Sequence, residues 1–84
     1  MLFCPPLAPL IVQKAYKTEI KQFGKRVKRM RKANGLTQTE LAGLCDIDIR
    51  TIQRIEGGEY GVGLHILFAL AEAFEVEPSE LLKT

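Results

Sequence analysis

The sequence contains no tryptophan, one serine (Ser79) and one histidine (His65). A Ser-His-Asp relay would have to recruit Ser79, close to the C-terminal end in a stretch that reads as a helix start. A structural zinc site takes about four Cys or His ligands. Only Cys4, Cys45 and His65 are present, with no CxxC pair. No catalytic residue, bound metal or cofactor is therefore expected. Long apolar runs are missing too: the longest, 64–71, is interrupted by His65 and falls far short of the ~20 residues a bilayer requires. A secretory leader is not expected either, since the first basic residue is Lys14 and Pro5, Pro6 and Pro9 break the would-be apolar segment. These absences point to the cytoplasm, with no membrane partner. Cys4 and Cys45 could pair, but a cytosolic setting favours two free thiols.

What remains is one small globular domain. Of the 84 residues 46% are hydrophobic and 26% charged, a balance that folds rather than stays disordered. So short a chain buries a smaller share of its surface than a larger domain, which gives it a motive to dimerise. It also leaves no room within these residues for a separate sensor domain, so any control is expected from a partner protein rather than a small ligand.

Acids are scarce in the first half. Residues 1–42 hold nine Lys or Arg against Glu19 and Glu40, a balance of +7; residues 43–84 hold three against eight acids, a balance of −5. Such asymmetry fits an anionic partner meeting one side of the molecule. A solvated basic helix explains the charge equally well.

Residues 1–17 read as a proline-rich, largely apolar arm, in which 10–12 could extend as a strand or dock on an apolar surface. The remainder, 18–84, reads as one all-α domain of five helices: 18–33, 38–45, 49–56, 64–74 and 78–83. In the first, Ile20, Phe23, Val27 and Met30 recur at three- and four-residue steps, and Gly35 supplies a left-handed stop. The other four share one device, a hydrophobic residue before the N-cap that packs on position N4. The pairs are Leu36 with Leu41, Ile47 with Ile52, Val62 with Leu67, and Val76 with Leu81, around caps at Thr37, Asp48, Gly63 and Glu77. Thr37 and Glu40 add a capping box, and Pro78 suits a first helical position.

Two short helices joined through Asp46 and Ile47 make a helix-turn-helix unit, whose second helix can enter a DNA major groove. At ~100° per residue, Ile52 and Ile55 define the inward direction of that helix. Arg50, Gln53 and Arg54 then lie more than ~120° away, Ile49 to one side, and Glu56 within roughly 70° of inward. A carboxylate there calls for a cation. Arg can bond guanine and Gln adenine in bidentate fashion, and isoleucine can touch a thymine methyl. Any surface helix can carry two Arg and a Gln; attachment to a doubly capped helix-turn-helix and a basic first helix favours recognition.

The stretch 23–82 resembles the Cro and phage-repressor helix-turn-helix family, the xenobiotic-response-element class. The segments are FGKRVKRMRKANGLTQTELA, the turn CDID, IRTIQRIEGGE and LHILFALAEAFEVEPSELL. The resemblance implies a five-helix, lambda-repressor-like DNA-binding domain, acting as a homodimer on a palindromic double-stranded operator, most often as a repressor. It places Ile49, Arg50 and Arg54 at base-contacting positions, with Gln53 on the same face. Gln38 falls at the start of the second helix, where a glutamine meets phosphate or buttresses the recognition helix. Thr37, Thr51 and Lys32 are expected on the DNA backbone, and Arg31 and Glu56 form the family's structural ion pair. Asp46 stands where the family usually has glycine, and Ile49 forgoes a hydrogen bond to Gln38. The loop GGEYGVG carries Glu59 where relatives place a phosphate-gripping cation, so backbone contacts are expected mainly from helix one and the helix ends. Tyr60 suits either loop anchoring or phosphate donation. Gly43 mid-helix costs roughly 1 kcal/mol relative to alanine unless a close contact requires it. His65 is expected at the surface or beside a cap, and Cys45 as a small packing residue. The fourth helix, apolar nearly all round, is expected both to centre the core and, with Leu81, Leu82 and the arm, to form a dimer contact. A second class of function remains open, a protein-interaction module of antitoxin or coactivator type, suggested by the acidic second half and that same helix.

Overall fold

The computed structural model describes the backbone of residues 8–59 and 61–83, and side chains from residue 16 onward apart from residues 60 and 84. Residues 1–7 of the expected arm, with Cys4, and Tyr60 lie outside the described residues. Five helices and no strand occur among the described residues: α1 (Ala8–Ala33), α2 (Gln38–Cys45), α3 (Ile49–Glu56), α4 (Leu64–Phe74) and α5 (Pro78–Leu82).

The first helix begins ten residues earlier than its periodicity suggested, and 10–12 are helical rather than extended. Pro9 explains the difference. It sits at the second helical position, where the first-turn N–H groups have no intrahelical acceptor to lose, and its fixed φ suits the helix. The residue that reads as a breaker is an opener. At 26 residues, α1 runs about 39 Å and accounts for the 45 Å length of a molecule only 22 × 21 Å across.

Val27 of α1, Leu41 of α2, Ile52 and Ile55 of α3, Leu70 of α4 and Leu81 of α5 are the large side chains sealed from solvent. Every helix thus contributes to one core. Leu36, Ile47, Val62 and Val76, which precede the four caps, all pack against it.

Three of these residues close one helix as well as open the next. Leu36 N–H donates to the Arg31 carbonyl at 3.0 Å, Ile47 N–H to Ala42 at 3.0 Å, and Val76 N–H to Ala71 at 2.9 Å. Each bond spans a left-handed residue, Gly35, Asp46 and Glu75, in the manner of a Schellman closure. Asp46 (φ 55°, ψ 45°) adopts the conformation for which the family uses glycine. Glu75 does the same at φ 58°. The end of α3 breaks the pattern: Glu59 N–H closes onto Arg54 across Gly58, but Glu59 is exposed and Val62 opens α4 three residues on.

Gly24 marks the tightest crossing. A Cβ there would overlap the carbonyl oxygen of Ile55, so the bare α-carbon is what lets α3 lie against α1. Gly43 has no neighbour that an added methyl would meet, so no close contact requires it. Leu81 is 1% exposed, which corrects its expected place in a dimer contact: it is spent inside the subunit. The exposed apolar side chains nearby are Leu64, Phe68 and Leu82.

Candidate nucleic-acid interface

The short helix α3 buries Ile52 and Ile55 and leaves Arg50, Gln53 and Arg54 exposed. Its strongly one-sided sequence explains this: the two isoleucines sit three residues apart, and the intervening polar pair must face away from them. Ile49, at the first position, is half-buried and packs against the core. Thr51 is also half-buried.

Behind the exposed face lies a polar chain. Arg31 Nε donates to Glu56 Oε2 at 2.6 Å, and its Nη2 donates to Oε1 at 3.1 Å. Its third donor, Nη1, reaches the Leu36 carbonyl at 2.9 Å. The two side chains are only 10% and 3% exposed. Gln38 Nε2 donates to the same Glu56 Oε1 at 3.1 Å, and Gln53 Nε2 reaches Gln38 Oε1 at 3.5 Å. Glu56 thus receives three hydrogen bonds, and the planar guanidinium grips it in the two-pronged geometry that holds carboxylates best. No buried side-chain polar atom lacks a partner among the described residues.

This chain runs from α1, through the end of α3 and the start of α2, to the exposed Gln53. Ile49 cannot bond Gln38, and the amide of Gln38 turns instead to Glu56 and Gln53. The sequence singled out Glu56 by its inward lean; the participation of Gln38 and Gln53 in one network had no periodic signal.

Thr37 caps α2. Its hydroxyl accepts from Glu40 N–H at 3.0 Å while its own N–H donates to Glu40 Oε1 at 2.8 Å. Accepting leaves the hydroxyl proton free to donate outward. Lys32 is exposed in the last turn of α1, near Thr37 in sequence, where a cation also suits the helix dipole. Asp48 caps α3 without a side-chain bond. His65 is exposed, with its ring beside the capping Gly63. Cys45 is a buried free thiol, and burial pushes its pKa up. A raised thiol pKa holds back the reactive thiolate, which suits a packing residue.

An exposed pair of guanidinium groups and an amide on the second helix of a helix-turn-helix is side-chain chemistry that suits base edges in a major groove. A family model described as helix-turn-helix matches residues 27–81, and the chain belongs to that family, the Cro/C1 type of DNA-binding transcriptional regulators. It is 36% identical to the restriction-modification controller protein C.AhdI from Aeromonas hydrophila, with a TM-score of 0.74 over 76% of this chain and 97% of that one. The clp gene regulator ClgR from Corynebacterium glutamicum shares the fold at 21% identity, with a TM-score of 0.70 over 74% of this chain and 66% of that one. Among curated proteins, a Pyrococcus horikoshii protein named for an HTH-type transcriptional regulatory role is 33% identical over 85 aligned positions. A Pyrococcus abyssi protein of the same description is 31% identical. Both alignments take in 98% of this chain but 27% of the relative, so the chain spans about a quarter of the length of these curated relatives. No helix among the described residues is long and apolar enough to cross a membrane.

Proposed function

We propose that the protein is a sequence-specific regulator, acting in the cytoplasm, that represses transcription by seating α3 in the major groove of a palindromic duplex as a homodimer. The observation that carries this reading is the outward display of Arg50, Gln53 and Arg54 on a helix whose far end is anchored through Glu56 to Arg31. Arg50 and Arg54 suit guanine edges and Gln53 suits adenine. Ile49, half-buried at the helix start, offers at most its outer methyl groups to a thymine. Thr37, Gln38, Thr51 and Lys32 serve the backbone: they fix register on the duplex without carrying sequence information. Arg31 and Glu56 touch no DNA and hold the reading helix in place. Repression follows from occupancy, because a dimer covering a promoter excludes polymerase.

Selection of binding sites from a randomised duplex pool, followed by fluorescence anisotropy on the winner, tests the reading. Arg50→Ala and Arg54→Ala should each weaken binding by about 1–3 kcal/mol and relax preference at one base pair. A selected pool with no consensus, or a consensus that both variants bind as well as the parent, overturns it.

A further inference from the structure

In the loop after α3, Glu59 carries the wrong sign for phosphate, and its carboxylate folds back over Gly57. Lys21, which belongs to α1, is the cation that reaches this loop. A Cβ on Gly58 would meet Lys21 Cγ at 2.8 Å and Lys21 Cα at 3.1 Å, so the glycine lets the lysine backbone lie directly on the turn. Lys21 is exposed and has no ion-pair partner among the described residues.

Lys21 is one member of a row. Lys17, Lys21, Lys25, Lys28 and Lys32 fall within an arc of about 80° on α1 at ~100° per residue, and all five are exposed. The arc flanks the line along which α3 meets α1: Gly24 against Ile55, Gly58 against Lys21, and Arg31 against Glu56. Arg31 is the one α1 cation with a carboxylate partner among the described residues. The row is therefore unneutralised charge beside the C-terminal end of the reading helix. From Lys17 to Lys32 it extends about 22 Å along α1. Three of its members, Lys17, Lys21 and Lys25, precede the family match at 27–81.

We infer that this lysine row of α1, with Lys21 placed over the α3–α4 turn, binds the phosphodiester backbone of duplex DNA flanking the bases that α3 reads, and supplies the grip the loop lacks. This rests on the DNA-binding reading above and assigns that interface a second, sequence-independent part. A phosphate track needs neither aromatic side chains nor defined hydrogen-bond geometry, only closely spaced cations whose approach releases condensed counterions.

The test compares the full chain with a Lys17→Gln, Lys21→Gln, Lys28→Gln triple variant, using anisotropy over a salt series. Two probes are used: a 30-base-pair duplex of the selected consensus, and one trimmed to the bases α3 contacts. Removing three phosphate contacts from each protomer of the homodimer should make the log–log salt slope shallower by about 5 on the long duplex. Affinity there should drop at least tenfold, base preference should stay unchanged, and the trimmed duplex should show little difference. The matching triple Lys→Arg variant, which keeps the charge, should restore the slope; circular dichroism reports that the substituted surface still folds. If the parent binds with Arg54-sensitive preference but the glutamine variant keeps both slope and affinity on the long duplex, the inference fails while the functional reading stands. If the parent shows no salt-dependent binding at all, both fail.

Discussion

Glu56 shows how one carboxylate can serve three helices. It accepts from Arg31 of α1 and Gln38 of α2 while sitting at the end of α3, so one side chain ties all three helices together. Replacing it strands a guanidinium in a nearly dry site. Glu56→Ala should cost about 3–5 kcal/mol of unfolding free energy in a urea titration, a large share of the ~5–15 kcal/mol typical of small domains. Glu56→Gln, which keeps two of the acceptor contacts but not the charge, should cost less. The inward lean of Glu56 was legible from the angular position of the residue relative to Ile52 and Ile55. That Gln38 would turn to it was not, because amide side chains find partners by three-dimensional proximity, and Gln38 lies 18 residues away.

At the scale of elements, the helix boundaries from 38 to 56 and from 64 to 74 match those read from caps and staples. A cap is a local event: Thr37 and Glu40 satisfy one another within a single turn, and such chemistry is written in adjacent residues. The start of α1 departs from its periodicity for the complementary reason. Pro9 forbids a preceding helix but permits a following one, and the sequence alone does not say which side is used. Helix propensity does not distinguish the two mid-helix glycines either. Gly24 and Gly43 carry the same propensity penalty, yet one meets the backbone of α3 and the other meets nothing. Thermal or denaturant melts of the two alanine variants should move in opposite directions. Gly43→Ala should stabilise by about 0.5–1 kcal/mol through helix propensity. Gly24→Ala must push α3 away from α1 and should destabilise by about 1–3 kcal/mol or more, as overpacking does.

The molecule as a whole carries two chemically different exposed surfaces. The lysine row and the arginines of α3 are charged and open, whereas on α4 Leu64 and Phe68 are 70% and 56% exposed. Those two side chains stand one turn apart, on the face of α4 that the subunit core leaves uncovered. Large apolar groups in that position favour association, and a domain this small gains stability by it. Phe68→Glu should shift sedimentation toward the monomer at micromolar concentration. It should also remove the rise of melting temperature with protein concentration that a dimer shows. An unchanged sedimentation profile would place any two-fold contact elsewhere. The apolar character of α4 was plain in the sequence; which of its leucines face inward was not. Leu81, equally apolar and close by on α5, is sealed in the core because Val76 directs α5 back across α4.

Leu36, Ile47 and Val76 each end one helix and begin another, so three of the four elbows, including the one that leads into α3, contain no slack residue. A joint of that kind cannot swivel without breaking a backbone bond and pulling a half-buried side chain off the core at once. On the proposed function α3 consequently arrives preset, and adjustment on contact falls to the more pliable party. In the homodimer proposed above, bendable steps such as TA or CA between two half-sites should then govern affinity as strongly as the base pairs proposed for Arg50 and Arg54.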